Sequence, residues 1–260
     1  MTKKIILFVL AVFLLFIILG ALKELNGNRI ANIIKHNKLQ DKPLDDRSTL
    51  VFRVNFQGLI PAGIAVMENK GEELYNGRKV YHLSAKAGAS DFFSRIYNAQ
   101  AQVDSYMDAE KLHALKFTQA LILPNKPRDE KVVLYDQENN FMELKGTKRQ
   151  ILANTQDPLS AIYYLRHQEL HLGKEFDLNI NTNQKNYQLY AKVLGKQSYF
   201  LKDKEVGIWL VEVIIRRRDK NPYHKTTMRL WLLDNPSKTL VFIKAMTNAG
   251  VVTARLSDVQ

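Results

Sequence analysis

A chain of 260 residues that is 46% hydrophobic and 25% charged has an ordinary globular composition, with apolar material for one sizeable core or two small ones. Its 38 Lys and Arg against 26 Asp and Glu leave a formal net charge of +12, which favours anionic partners: phospholipid head groups, lipopolysaccharide, nucleic acid or acidic protein. The absence of cysteine excludes disulfides, thiolate nucleophiles and cysteine metal sites.

After Lys3 and Lys4 comes "IILFVLAVFLLFIILGAL", Ile5 to Leu22, eighteen residues without a charge. That is near the lower limit for a membrane-crossing helix, since each residue rises about 1.5 Å and the hydrocarbon is roughly 30 Å thick. The lysines favour an amino terminus, residues 1–4, held in the cytoplasm. The competing reading is a cleaved signal peptide ending at Ala21, which would put Leu19 where a small residue is wanted. No cysteine follows, so lipoprotein attachment is excluded. The expectation is an uncleaved signal anchor over 5–22; under either reading the remainder is exported. From Lys23 to Arg47 the chain turns polar, and Pro43 with its mixed charges marks a linker over 23–47. The folded domain is expected over 48–260.

From Ser48 onward apolar residues repeat with period two, the pattern of half-buried strands. Leu50, Phe52, Val54 and Phe56 share one face; so do Phe176, Leu178 and Ile180, and then Tyr187, Leu189, Ala191 and Val193. Trp209, Val211, Val213 and Ile215 continue the series, and "KTLVFIKAM" with "GVVTARLS" forms a last pair. Turn signals fall at Asn76-Gly77, around Asn139 and at Asn235-Pro236. Such runs predict an all-β domain of about twelve antiparallel strands, wrapped into a strongly curved barrel or half-barrel. Outward charges, which would face lipid, and the inner-membrane signal of the first segment argue against an outer-membrane barrel. Pro61 and Gly63 in "IPAG" predict a bend or bulge.

Two stretches break the alternation. "GASDFFSRIYN" predicts a short helix capped by Ser90 or Asp91 and anchored by Phe92, Phe93, Ile96 and Tyr97. "NTQDPLSAIYYLR" places Asp157 as an N-cap before Pro158, where proline costs no backbone donor. Leu159, Ile162, Tyr163 and Arg166 share one face of that helix, and Ala161 with Leu165 makes the opposite flank largely apolar. A helix apolar nearly all round needs burial on several sides. In an all-β domain that predicts a stopper seated in the concavity or across its mouth.

Five ordered stretches, "GLIPAGIAVME", "VYHLSAKAGASDFFSRIY", "DSYMDAEKLHALKF", "TQDPLSAIYYLR" and "KAMTNAGVVTARL", resemble the domain of unknown function 3108 family from Ser48 to the end of the chain. The resemblance implies an exported bacterial protein with a β-barrel-like domain. It implies no reaction and no catalytic residues. With the anchor, it implies a single-pass protein of the bacterial inner membrane whose bulk lies in the periplasm.

Chemistry-bearing patterns are sparse. His167 and His171 have helical spacing around Glu169, but the order is not H-E-x-x-H and Gly173 ends the helix nearby. No G-x-S-x-G elbow exists, and no carboxylate pair stands out. Glu212 reads as one half of a structural pair with an Arg. The expectation is therefore a non-enzymatic binding module without a cofactor. Its concavity would hold a lipid-like or apolar ligand, lined by Phe52, Phe56, Phe92, Phe93, Tyr163, Tyr164 and Trp209. Arg216, Arg217, Arg218 and Lys220, at one hairpin end, are candidate contacts for a lipid head group or an envelope protein partner. Nucleic acid is not expected, because the aromatics alternate inward and the domain is exported. Two rivals remain: an envelope scaffold with a solid core, and an enzyme on envelope polymers, which needs a polar cleft with two convergent ionisable groups.

Overall fold

The structure is a computed structural model that describes residues 47–90, 100–123, 127–201, 204–218, 225–247 and 250–259. The expected anchor over 5–22 and the expected helix around Phe92 and Phe93 lie outside the described residues. Among the described residues no helix is long and apolar enough to cross a membrane.

Fourteen strands form one sheet. The first half of the chain supplies β1 (Ser48–Phe56), β2 (Ile60–Tyr75), β3 (Arg78–Ala89), β4 (Gln100–Asp108), β5 (Ala114–Ile122), β6 (Asp129–Asp136), β7 (Phe141–Leu144) and β8 (Thr147–Gln150). The second half supplies β9 (Glu175–Thr182), β10 (Lys185–Leu201), β11 (Lys204–Arg217), β12 (Lys225–Leu233), β13 (Leu240–Thr247) and β14 (Gly250–Val259). Between the halves lies α1 (Pro158–His167). All pairings within the sheet are antiparallel, and all but one join strands adjacent in the chain; the exception is β1 beside β14. The expected twelve strands become fourteen because β7 and β8 have four residues each. Four residues are too few to display an alternation, and β8 is exposed throughout.

The turns follow local chemistry. Asn76 and Gly77 both take positive φ, 49° and 77°, as a tight hairpin requires. At "IPAG" Val54 faces Gly63 and Asn55 faces Pro61, so Ala62 is one extra residue and the strand bulges. Further register shifts interrupt the pairing near Gly71, Met107, Gly195 and Leu232, and such bulges add local twist and bend.

The sheet begins and ends on β8 and β9, and the segment that joins these two edges carries α1. Curling brings the edges together without strand pairing between them. Arg149 Nε donates to Gln184 Oε1 at 2.8 Å, Asn186 Nδ2 to the Gln150 carbonyl at 3.0 Å, and Asn179 Nδ2 to the Ala153 carbonyl at 2.8 Å. Gln156 then makes a parallel bridge to Ile180 on the free edge of β9. Its amide donates to the Asn179 carbonyl at 2.7 Å, and the Asn181 amide donates to its carbonyl at 2.8 Å.

α1 fills the concavity. Asp157 accepts from the Leu159 and Ser160 amides at 2.8 and 3.0 Å, while Ser160 Oγ accepts from the Asp157 amide at 3.0 Å, completing a capping box. The helix packs against β3, β4 and β9, and Pro158, Leu159, Ser160, Ala161, Tyr163, Leu165 and Arg166 are all buried. Both flanks are covered, as the residue pattern requires. At its carboxyl end Arg166 Nε lies 3.3 Å from the Ser237 and Lys238 carbonyls, and Nη2 lies 3.1 Å from that of Ser237. The guanidinium sits 4.8 Å above the Tyr163 ring centre. The helix is thus tied at its far end to the turn between β12 and β13.

Candidate functional site

The described aromatic residues expected to line a cavity do not gather around one. Phe52 and Tyr163, each 1% exposed, are core filling. Phe56 is half-buried where β1 turns into β2, and Trp209 is half-buried beside the β12–β13 turn, its indole N–H donating to Asp234 Oδ1 at 2.9 Å. Tyr164 is half-buried on α1. Phe92 and Phe93 are outside the described residues. A partly open hollow of about 90 Å³ lies where β5, β6 and β7 meet the β9–β10 turn, lined by Phe117, Gln119, Tyr135, Leu144, Asn183 and Gln184 among others. None of the five described residues of the expected set is among those lining it.

The expected basic cluster is also divided. Arg216 is exposed and Arg217 half-buried. Arg218 is a strap: its Nη2 donates to Asn179 Oδ1 at 2.6 Å and its amide to the Asn186 carbonyl at 3.1 Å. Lys220 lies outside the described residues. The two histidines at helical spacing part company because α1 ends at His167 and Gln168 is extended. Among the described residues no group of His, Asp and Glu is placed to hold a metal ion.

A polar cluster on the outer wall looks more like chemistry than it is. Lys70 Nζ and His82 Nε2 approach Asp104 Oδ1 at 2.9 and 3.1 Å, Gln102 donates to Oδ2 at 3.1 Å, and His82 Nδ1 meets Glu73 at 3.2 Å. The imidazole stacks on Tyr106 with ring centres 4.5 Å apart. Burial alone would raise the Asp104 carboxyl; the hydrogen bonds from His82, Lys70 and Gln102 outweigh it and hold the group well below the usual carboxylate range. Every partner is used within the cluster, which makes it a brace across β2, β3 and β4.

The better candidate is a groove of about 510 Å³ on the outer wall across β1, β14, β13 and β12. Alternation builds it. On β12 Met228, Leu230 and Leu232 are buried, so Arg229 and Trp231 face out; on β13 Ile243 and Ala245 are buried, so Phe242 and Lys244 face out. Register aligns these positions into rows. Arg53 pairs with Arg255, Arg255 with Phe242, and Phe242 with Trp231. One step along, Asn55 pairs with Thr253, Thr253 with Lys244, and Lys244 with Arg229. Trp231 and Phe242 meet edge to face, with ring centres 4.9 Å apart, and the Arg255 guanidinium lies 5.4 Å from the Phe242 centre. Arg229 reaches Glu212 at 3.2 Å, so that expected pair exists. Among the described residues no carboxylate pairs with Arg53, Lys244 or Arg255.

This groove corrects the expectation that the aromatics all turn inward, since Trp231 and Phe242 are half-buried on the outside among cations. The alternation of Arg229 and Trp231 within "TMRLWLL" carried the signal.

The family model described as protein of unknown function (DUF3108) matches residues 51–257, spanning β1 to β14. The chain belongs to that family. No curated protein matches it. The crystal structure of a β-barrel-like protein of domain of unknown function DUF1849 from Brucella abortus has 11% identity and a TM-score of 0.56 over 84% of this chain and 98% of its own. At that identity the likeness shows the fold alone: this DUF3108 domain is β-barrel-like. A protein of Parabacteroides distasonis described as a lipoprotein has 8% identity and a TM-score of 0.35 over 86% of this chain and 100% of its own. A protein of Bacteroides fragilis described as exported has 8% identity and a TM-score of 0.32 over 84% and 97%. Both scores are too low to carry an argument about this DUF3108 chain.

Proposed function

We propose that this DUF3108 protein is an exported binding module tethered to the inner membrane, and that it works from its outer wall by holding a polyanionic component of the cell envelope. The tether rests on the uncharged segment from Ile5 to Leu22 behind Lys3 and Lys4. The observation that carries the binding reading is the outer groove, where Lys244 and Arg255, with Arg53 beside Arg255 on β1, stand without carboxylate partners among the described residues around Trp231 and Phe242. Guanidinium and ammonium groups on one wall concentrate anions.

The interior supports this reading by its fullness. Sites for drug-sized ligands usually hold about 300–1,000 Å³. The hollow beside Tyr135 holds about 90 Å³, and α1 occupies the concavity. Of the two binding roles, the module with a solid core is the better supported.

The test uses the full chain in zwitterionic nanodiscs with polyphosphate as the probe. Calorimetry is expected to show binding that weakens as salt rises, with at least a tenfold loss in the Lys244→Gln, Arg255→Gln double variant. No binding at low salt, or binding indifferent to that variant, overturns the outer-wall reading. A stoichiometric acyl guest in native mass spectra would return the function to the interior.

A further inference from the structure

We infer that the outer groove takes a phosphorylated saccharide, a ligand class that rests on the outer-wall reading and narrows it. The groove presents three different surfaces to one ligand. The first is an aromatic platform. Arg255 lies over the Phe242 ring, whereas no cation lies over Trp231 among the described residues, and Phe242 meets Trp231 edge to face. The indole is therefore the ring surface available to an apolar face of small size, such as the C–H face of a pyranose, which suits the negative face of the ring.

The second surface is cationic. Lys244 and Arg229 are direct cross-strand partners, and Arg255 pairs with Phe242 one step away. Cross-strand neighbours stand about 5 Å apart at Cβ, so these flexible side chains converge on a single dianion beside the platform. The third surface is hydrogen-bonding. Asn55, Gln57 and the largely buried Thr253 line the same groove and match hydroxyl groups in both donor and acceptor roles.

Each simpler ligand leaves part of this surface unused. Inorganic phosphate leaves Trp231 and the amides without work. A neutral sugar leaves Lys244 and Arg255 unanswered. A phospholipid would bring acyl chains to a groove whose large apolar lining residues are Trp231, Phe242 and Val251 alone. The volume of about 510 Å³ suits a small molecule of a few rings at most.

The experiment uses the full chain in phosphatidylcholine nanodiscs with Trp209→Phe, which leaves Trp231 as the one tryptophan of the two. Glucose 1-phosphate, inorganic phosphate, glucose and AMP are titrated by fluorescence and calorimetry. Glucose 1-phosphate is expected to shift Trp231 emission and to bind at least fivefold more tightly than phosphate, with glucose showing no binding. Trp231→Leu, read by calorimetry, is expected to remove that advantage while leaving phosphate affinity unchanged. Equal affinities for phosphate and glucose 1-phosphate overturn the ligand class while the outer-wall reading stands; binding of neither probe nor polyphosphate removes both. AMP binding as tightly as glucose 1-phosphate would replace the saccharide with a nucleotide. Displacement of glucose 1-phosphate by phosphatidylglycerol in the nanodisc would move the phosphate to a bilayer lipid and overturn the assignment.

Discussion

Ser105 on β4 donates a hydrogen bond of 2.5 Å to Asp157, fifty-two residues later, and so fastens the first turn of α1 to the inner face of the curved sheet. The same carboxylate caps the helix through the Leu159 and Ser160 amides. One side chain therefore joins the helix start to the sheet that surrounds it. Ser105→Ala would leave a buried oxygen short of a donor, and an unmet buried acceptor costs about 1–3 kcal/mol. The expected result is a lower urea midpoint with an unchanged slope, since the surface exposed on unfolding stays the same.

Asp157 also predicts how stability depends on pH. Burial pushes its carboxyl up from the ordinary 3.8 to about 6, against the hydrogen bonds from Ser105, Ser160 and Leu159, which pull it down. The folded protein therefore holds this proton more tightly than the unfolded chain. The contribution is complete below pH 3.8 and is lost as pH rises through about 6. A shift of this size corresponds to about 3 kcal/mol in total. Asp104 acts in the opposite sense and another window: its depressed carboxyl adds stability above pH 3.8 that disappears as pH falls further. Asp157→Asn keeps a competent cap, so its urea midpoint is expected to vary less between pH 4.5 and pH 7 than that of the unaltered protein. An equal variation in the two proteins would refute the assignment.

Arg166 predicts a difference between two cations. Its guanidinium is 2% exposed, lies over Tyr163 and donates to the Ser237 and Lys238 carbonyls. Lysine keeps the charge but lacks the planar fork that serves both carbonyls at once. Arg166→Lys is expected to cost about 2–3 kcal/mol, because a buried charge would keep only part of its hydrogen bonding. Thermal or urea unfolding checks this, and a change below about 0.5 kcal/mol would show that the helix end is held by packing alone.

The seam between β8 and the β9–β10 hairpin predicts local opening. It depends on side-chain amides, notably Asn179 to the Ala153 carbonyl and Asn186 to the Gln150 carbonyl, rather than on a strand ladder. The Asn179→Ala, Asn186→Ala double variant is expected to speed amide exchange in β8 about tenfold while β1, β2 and β3 keep their protection. Uniform loss of protection would mean that the seam is part of the global cooperative unit.

The sequence alone determined which residues face the core. Burial alternates along β1, β9 and β10 where the apolar period predicts it, and Asp157 caps α1 as its place before Pro158 requires. Those are local properties: a strand turns its side chains every second residue and a cap acts within one turn, so neighbouring letters suffice. The four-residue strands β7 and β8 escaped because so few positions define no period.

Only the tertiary structure decided what the outward positions do together. Arg53 and Arg255 are 202 positions apart in the chain, yet become direct partners because β14 returns beside β1. That return also sets Asn55 beside the rows that the β12–β13 and β13–β14 pairings make of Trp231, Phe242 and Lys244, while the two sheet edges leave α1 to fill the space between them. The alternation of Arg229 with Trp231 held a local signal of their orientation, which the expectation of inward aromatics missed. The neighbours across β1 and β14 were not legible beforehand, because that pairing joins the two ends of the domain, which no short window of sequence contains.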